Sequence, residues 1–172
     1  TATGFFTTIR RDTAGRFQAV PYSLEYQGEL ALMAAQLRAA AAATAEPTLR
    51  TFLESRADAF QSNDYYASDV AWMRLDSVIE PTIGPYEVYG DGWFNYKAAF
   101  EAFIAVRDDD ATAKLEHFGS ELQWLEDRLP LDPQYRRRTL GDLAPMRVVN
   151  VVFAAGDGNH DVQTAAFNLP ND

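Results

Sequence analysis

The chain has 172 residues, the size of one ordinary domain or two small lobes, and 47% of them are apolar, enough to build a buried core. Fifteen Lys and Arg against 25 Asp and Glu leave a net charge of -10, which argues against a phosphate-neutralising basic face and so against nucleic-acid binding. There is no Cys, which excludes disulfide frameworks, zinc ribbons and thiol catalysis.

In chain order, Phe5 to Ile9 and Phe17 to Pro21 are β-branched and aromatic runs flanking Asp12-Thr13-Ala14-Gly15, a hairpin signal. Ser23 stands where an N-cap is expected. Leu24 to Ala45 follows, rich in strong helix formers, with Leu30, Met33, Ala34 and Leu37 on one face. Pro47 interrupts it. A second helix is expected from Thr48, with Leu49, Phe52, Leu53, Ala57 and Phe60 recurring every three or four residues, and a third over Tyr65 to Leu75. At Ser77 the texture changes to Pro, Gly and aromatic residues. Ile79 to Tyr89 favours extended structure, and Gly90-Asp91-Gly92 is a turn signal. In Phe100 to Val106 one set of residues alternates with Glu101, Phe103 and Ala105, the period of a strand, although Lys97 to Phe103 also fits a helical face; the strand is preferred. Thr112 to Leu129 reads as an amphipathic helix with a Leu115, Phe118, Leu122, Leu125 stripe. Met146 to Ala154 is a strand, Gly156-Asp157-Gly158-Asn159 a hairpin turn, and Val162 to Asn168 the returning partner.

The expected fold class is α+β: N-terminal helices on an antiparallel sheet or partial barrel, with one inserted amphipathic helix. As a single region it divides into a hairpin (1–22), helices (23–75), strands (76–108), a helix (109–130) and a second hairpin (146–172).

Little in this chain carries chemistry by itself. His117 and His160 are its only histidines, and neither belongs to an HExxH or HxxEH spacing. His117 could share a metal with Glu121, one helical turn on, but a solvated helical histidine is the better reading; His160 reads as a turn residue. There is no GxSxG and no phosphate loop, and the nudix pattern REUxEExGU is absent. The run Arg136-Arg137-Arg138 reads as a solvated loop. What remains are acids embedded in strands, Glu80 beside Pro81 and Glu87 between Tyr86 and Val88; edge-strand charge is the common outcome for such residues.

The blocks SNDYYASDVAWM, IEPTIGPYEVYGDGWFNYKAAFEAFIAVRD and RVVNVVFAAGDGNHDVQTAAFNLPND, in this order and spacing, resemble the dipeptidyl peptidase III family of zinc metallopeptidases, in its bacterial branch. The resemblance runs from about Phe5 to Asp172. It implies that Glu80, with Thr82 and Gly84 further along the same strand, and Asn168 and Asn171 flanking Leu169-Pro170, bind substrate, the glutamate and the two asparagines holding its amino end. The family's tyrosine position falls on Thr82, so one transition-state donor is missing. The segment matching FNLPND precedes the helix with two zinc histidines and the catalytic glutamate, and none of that helix is in this sequence.

The resemblance therefore implies an internal fragment. It would be the substrate-cleft part of a zinc hydrolase that cleaves peptides from the N-terminus, inactive alone, with no catalytic residue and no metal ligand of its own. Zinc is expected in the full-length parent. The expected partners are a peptide substrate and the remaining polypeptide, with neither nucleic acid nor membrane. No apolar run reaches the roughly 18 residues of a membrane span. The start TATGFF is neither a signal peptide nor an initiator-Met terminus. A cysteine-free chain fits either the cytoplasm or the periplasm. The alternatives are a non-catalytic peptide-binding or structural module and, more weakly, a nudix-associated hydrolase.

Overall fold

The computed structural model describes residues 2–140 and 146–159. Its elements are β1 (Thr7–Arg11), β2 (Phe17–Pro21), α1 (Tyr22–Glu25), α2 (Gln27–Ala43), α3 (Pro47–Ser62), α4 (Tyr66–Met73), β3 (Ile79–Glu87), β4 (Ala99–Arg107), α5 (Asp109–Glu126) and β5 (Val149–Gly156). The class is α+β, with a two-stranded sheet β1-β2 and a three-stranded sheet in the order β3-β4-β5. The expected returning strand Val162 to Asn168 lies outside the described residues. The chain forms two compact units, one of residues 2–105 with 151–159 and one of 106–140 with 146–150.

In the first unit, β1 and β2 pair antiparallel, with Thr7 opposite Pro21 and Arg11 opposite Phe17. Asp12 closes the turn, its Oδ1 accepting the backbone N–H groups of Ala14 and Arg16 at 2.9 Å. The single helix expected over Leu24 to Ala45 is two helices, because Tyr26 (φ -111°, ψ 30°) leaves helical geometry between α1 and α2. Ser23 lies inside α1, and Pro21 is the capping residue, without a side-chain bond. Pro47 begins α3 rather than merely ending what precedes it; its fixed φ suits the first helical turn, where its missing N–H costs nothing. Asn63 ends α3 in the left-handed region (φ 63°), which Asn visits more readily than most residues. Its Oδ1 accepts the Ser23 N–H at 3.1 Å and its Nδ2 donates to Phe6 O at 3.2 Å, so one residue ties α3 to the hairpin.

The core follows helical periodicity: Leu30, Ala34, Leu37 and Ala41 of α2 against Leu49, Phe52, Leu53, Ala57 and Phe60 of α3. Phe100 of β4 enters it, with ring contacts to Tyr22, Tyr26 and Phe60 at 5.5, 6.0 and 6.1 Å. The Tyr22 phenol donates to Ala98 O at 2.8 Å, and burial pushes its pKa up to about 12.

Of residues 97–103, which suit either a helix or a strand, those from Ala99 on enter β4, where Phe100 packs against the helical core while Phe103 is buried. The prolines of β3 fit its place at the sheet edge. Pro81 and Pro85 are an even number apart, so the positions that lack N–H lie on one and the same side of the strand, as a strand paired on one side tolerates.

In the second unit, Asp108 caps α5, its Oδ1 accepting the Ala111 N–H at 2.9 Å, with Asp109 and Asp110 in the first turn. No residue of α5 is buried, and Phe118 of the expected apolar stripe is 64% exposed. Arg136 is engaged in loop closure, donating from Nε to Leu131 O and from Nη1 to Asp127 O, each at 2.9 Å.

Phe60 is fully buried among Tyr65, Phe100 and the α2–α3 side chains. Phe60→Ala is expected to cost roughly 3–5 kcal/mol of unfolding free energy in chemical denaturation, the usual range for deleting a buried aromatic ring. A loss below about 1 kcal/mol would mean that this ring is not at the core.

Candidate functional site

The sequence-derived candidates Glu80, Thr82 and Gly84 all lie on β3. Glu80 is half-buried near the start of the strand, while Thr82 and Gly84 are buried. Asn168 and Asn171 lie outside the described residues, as does His160. His117 is exposed on α5.

β3 packs against a buried ionic centre. Arg56 of α3, fully buried, donates from Nη2 to Asp69 Oδ1 of α4 and to the Tyr86 hydroxyl of β3. The Tyr86 hydroxyl in turn donates to Asp69 Oδ1 at 3.1 Å. The rings of Phe52, Tyr65 and Tyr86 stand 5.5, 5.3 and 5.2 Å from the guanidinium carbon, so π faces meet the charge where hydrogen-bond acceptors do not. Gly84 makes room for this centre. A Cβ on it would stand 2.9 Å from both Arg56 Nη1 and the Tyr86 ring. Burial raises the Tyr86 hydroxyl far above the ordinary phenol range, so it stays a donor at any physiological pH.

At the other end of β3 the structure gathers three acids. Glu87 ends the strand, Glu101 lies on β4, and Asp157 sits in the turn Asp157–Asn159 after β5. Glu101 is 2% exposed, and neither carboxylate oxygen has a hydrogen-bond partner. Burial first, then the charges of Glu87 and Asp157, push its pKa up to about 7. Glu87 is raised as well, by burial and then by Asp157. Sequence reasoning singled out Glu87 but took Glu101 as one position of a strand alternation. The turn glycines were the available signal: Gly156 and Gly158 allow the turn to lie directly on β4.

The family resemblance implies zinc in the parent. Among the described residues, no three His, Asp or Glu are grouped to hold a metal ion, and the sequence has no Cys. These residues do not fit a zinc centre, which takes three protein ligands or more.

The acid cluster makes a signed pH prediction. An unfolded glutamate ionises near 4.5, while folded Glu101 holds its proton to about 7. The folded state therefore binds more protons between these values, and stability falls as pH rises from about 4.5 to about 7. Glu101→Gln, which keeps the shape without the charge, is expected to remove that slope. It should raise unfolding free energy at pH 8 by up to roughly 3 kcal/mol, at about 1.4 kcal/mol per pKa unit. Denaturation curves at pH 5 and pH 8 read both; a variant with the unaltered slope would assign the dependence to another group.

Residues 13–157 match the model of peptidase family M49. The chain is similar to the solved structure of dipeptidyl-peptidase III from Corallococcus sp. strain EGB, at 65% identity and a TM-score of 0.85, over 99% of this chain and 32% of that one. It is also similar to the structure of DPP III from Caldithrix abyssi, at 51% identity and a TM-score of 0.92, over the same shares. A plant relative, Nudix hydrolase 3 of Arabidopsis thaliana, is 42% identical over 99% of this chain and 24% of its own length. The chain thus spans about a third of the solved relatives and a quarter of the plant protein. Two solved structures and a family model covering most of its length agree, and the chain belongs to peptidase family M49, the dipeptidyl-peptidase III family.

Proposed function

We propose that this chain is the substrate-cleft part of a dipeptidyl-peptidase III-like zinc hydrolase that removes dipeptides from the amino end of peptides. The observation that carries the reading is its identity of 65% and 51%, over 99% of its length, to two dipeptidyl-peptidase III structures. In this reading the metal and its bound water belong to the part of the polypeptide beyond this chain. The contribution here is to bind and align.

Glu80 is the anchor. It is a half-buried carboxylate on a strand that Arg56, Asp69 and Tyr86 hold in place. A peptide's ammonium terminus is matched by a carboxylate in a partly dry setting, where charge-assisted hydrogen bonds are strong. Asn168 and Asn171 would add amide oxygens to the same terminus. Thr82 and Gly84 follow Glu80 along the strand; Gly84 lets it pack closely on Arg56 and Tyr86, and Thr82, in the tyrosine position, has no phenol to offer the reacting carbonyl. Alignment by such a grip sets which bond reaches the nucleophile, and so a two-residue product.

The test uses the full-length natural protein and a peptide with a free or an acetylated amino terminus. The free peptide is expected to lose dipeptides and the acetylated one to resist. Glu80→Gln is expected to lower kcat/KM for the free peptide by roughly 10- to 100-fold, the loss of one hydrogen-bonded charge. Equal cleavage of both peptides, or an unaltered kcat/KM in the variant, would end this reading.

A further inference from the structure

The cluster at the far end of β3 has a built geometry. Gly156 has a φ of +68°, and a Cβ on it would stand 2.3 Å from Phe100 O; a Cβ on Gly158 would stand 2.1 Å from the Phe103 ring. The turn therefore lies on β4 with no side chain between them, and closes over Glu101. Its Asp157 carboxylate is held forward over the end of β3, with Oδ1 3.8 Å from where a Gly90 Cβ would be. Glu87 and Asp157 are partly exposed, and Glu101 lies buried with them.

Two observations are independent here. One is the convergence of acids from two strands and a turn. The other is that buried Glu101 has no hydrogen-bond partner on either oxygen, and that the charges acting on it are those of Glu87 and Asp157. Native folds rarely bury a carboxylate without a donor or a cation. Among the described residues, no Lys or Arg forms an ion pair with any of the three acids. Lys97, close in sequence, is committed elsewhere: its Nζ donates to Ala2 O, Gly4 O and Thr7 Oγ1 at 2.8–2.9 Å. Among the described residues, the cluster has no positive charge paired with it.

We propose that Glu87, Asp157 and Glu101 form a subsite for one organic cation, the ammonium or guanidinium group of a basic side chain on the bound peptide. The proposal rests on the peptide-cleft reading above. A metal ion is the poorer occupant, because no three acids among the described residues are placed to coordinate one. A guanidinium presents five N–H donors in a planar fork and can bridge carboxylates too far apart to chelate. The next loop adds a rim of exposed aromatic side chains, Tyr89, Trp93 and Phe94. Asp91 fixes that loop by accepting the backbone N–H groups of Trp93, Tyr96 and Lys97 at 2.8–3.2 Å. A basic side chain on an aromatic rim above acids is doubly favoured.

Glu101 gives the subsite a pH dependence. The groups that face it are Tyr86 and Glu87 from β3 and Asp157 from the turn. Without a cation Glu101 keeps its proton near neutral pH. When the cation docks on Glu87 and Asp157, Glu101 releases that proton to solvent and supplies a further negative charge. Affinity for the cation therefore rises with pH through the neutral range.

The experiment titrates the full-length protein by calorimetry with acetyl-arginine amide and acetyl-citrulline amide. These are equal in shape and differ in charge, and their blocked amino termini make them independent of Glu80. At pH 8 the arginine probe is expected to bind at least about tenfold more tightly, one charge-assisted contact's worth. That ratio should shrink at pH 6. It should fall to about one in Glu87→Gln/Asp157→Asn, and in Glu101→Gln it should stay at its low-pH value at every pH. Glu87→Gln alone, which leaves the buried residue intact, is expected to lower the ratio severalfold and serves if the double variant does not fold. Equal binding of the two probes by the wild type, or an arginine preference unchanged in both Glu87 variants, would overturn the proposal. If the missing cation is instead a basic side chain elsewhere in the same polypeptide, the wild type will show equal binding and Glu101→Gln a lowered Tm, which also overturns it. Failure of the peptidase reading shows separately, as absent dipeptide release with the arginine preference retained.

Discussion

A fully buried arginine sets the terms for this fold. Arg56 stands on α3, its carboxylate partner on α4 and its phenol partner on β3, so one guanidinium fixes two helices and a strand in a single arrangement. Desolvating such a charge costs several kcal/mol, and removing one partner of a buried pair leaves a larger penalty than the pair itself contributed. The arrangement is therefore close to all-or-none. Nε and Nη1 of Arg56 have no hydrogen-bond partner, and three aromatic rings replace part of what they lack. Gly84 belongs to the same constraint. A methyl group there would meet the guanidinium at 2.9 Å, so glycine is required by the approach of α3 and not by its backbone angle.

This rigidity bears on how a strand with two prolines could carry the binding surface proposed for it. Pro81 and Pro85 remove ladder hydrogen bonds that an interior strand could not do without. Among the described residues β3 is the sheet edge and pairs with β4 alone, and Arg56 adds a side-chain fixation of the strand through Tyr86. Residues at the two ends of β3, Glu80 and Glu87, are then presented by a scaffold that does not need to rearrange to meet a ligand.

What the sequence makes legible follows from the range of the interactions. The faces of α2 and α3 are local periodicities, so Leu30, Ala34, Leu37, Phe52 and Phe60 could be assigned to a core before any partner was known. The alternation at Phe100 to Val106 likewise gave the strand, but not which half of it would carry a buried acid. Glu101 is buried by a turn more than fifty residues later, and no local pattern carries that information. Arg56 and Asp69 look like surface residues of two helices, because the phenol that completes them comes from a strand further along. The break at Tyr26 was hidden by a run of good helix formers. α5 shows the opposite failure: its apolar period was plain, yet among the described residues Phe118 and Leu125 face solvent. Periodicity reports which face an element can bury, and the cover has to be found elsewhere.

The spacing along β3 bears on how the two acidic positions can be used together. Glu80 and Glu87 are seven residues apart on one strand, about 23 Å at the rise of an extended chain. At that distance, beyond two Debye lengths at physiological salt, the two sites do not sense each other's charge through solvent. One cation cannot satisfy both, so in the proposed reading the two acids take separate groups. Seven is an odd number, so the alternation of a strand also puts the two side chains on opposite faces of the sheet; a single molecule that touches both must be extended, cationic at each end of the contact, and run along the sheet edge. An extended peptide with a free amino terminus and a basic side chain further along has that shape, because its backbone advances at nearly the same rise per residue as the strand beside it. The order of the two contacts would then set its direction along the sheet edge.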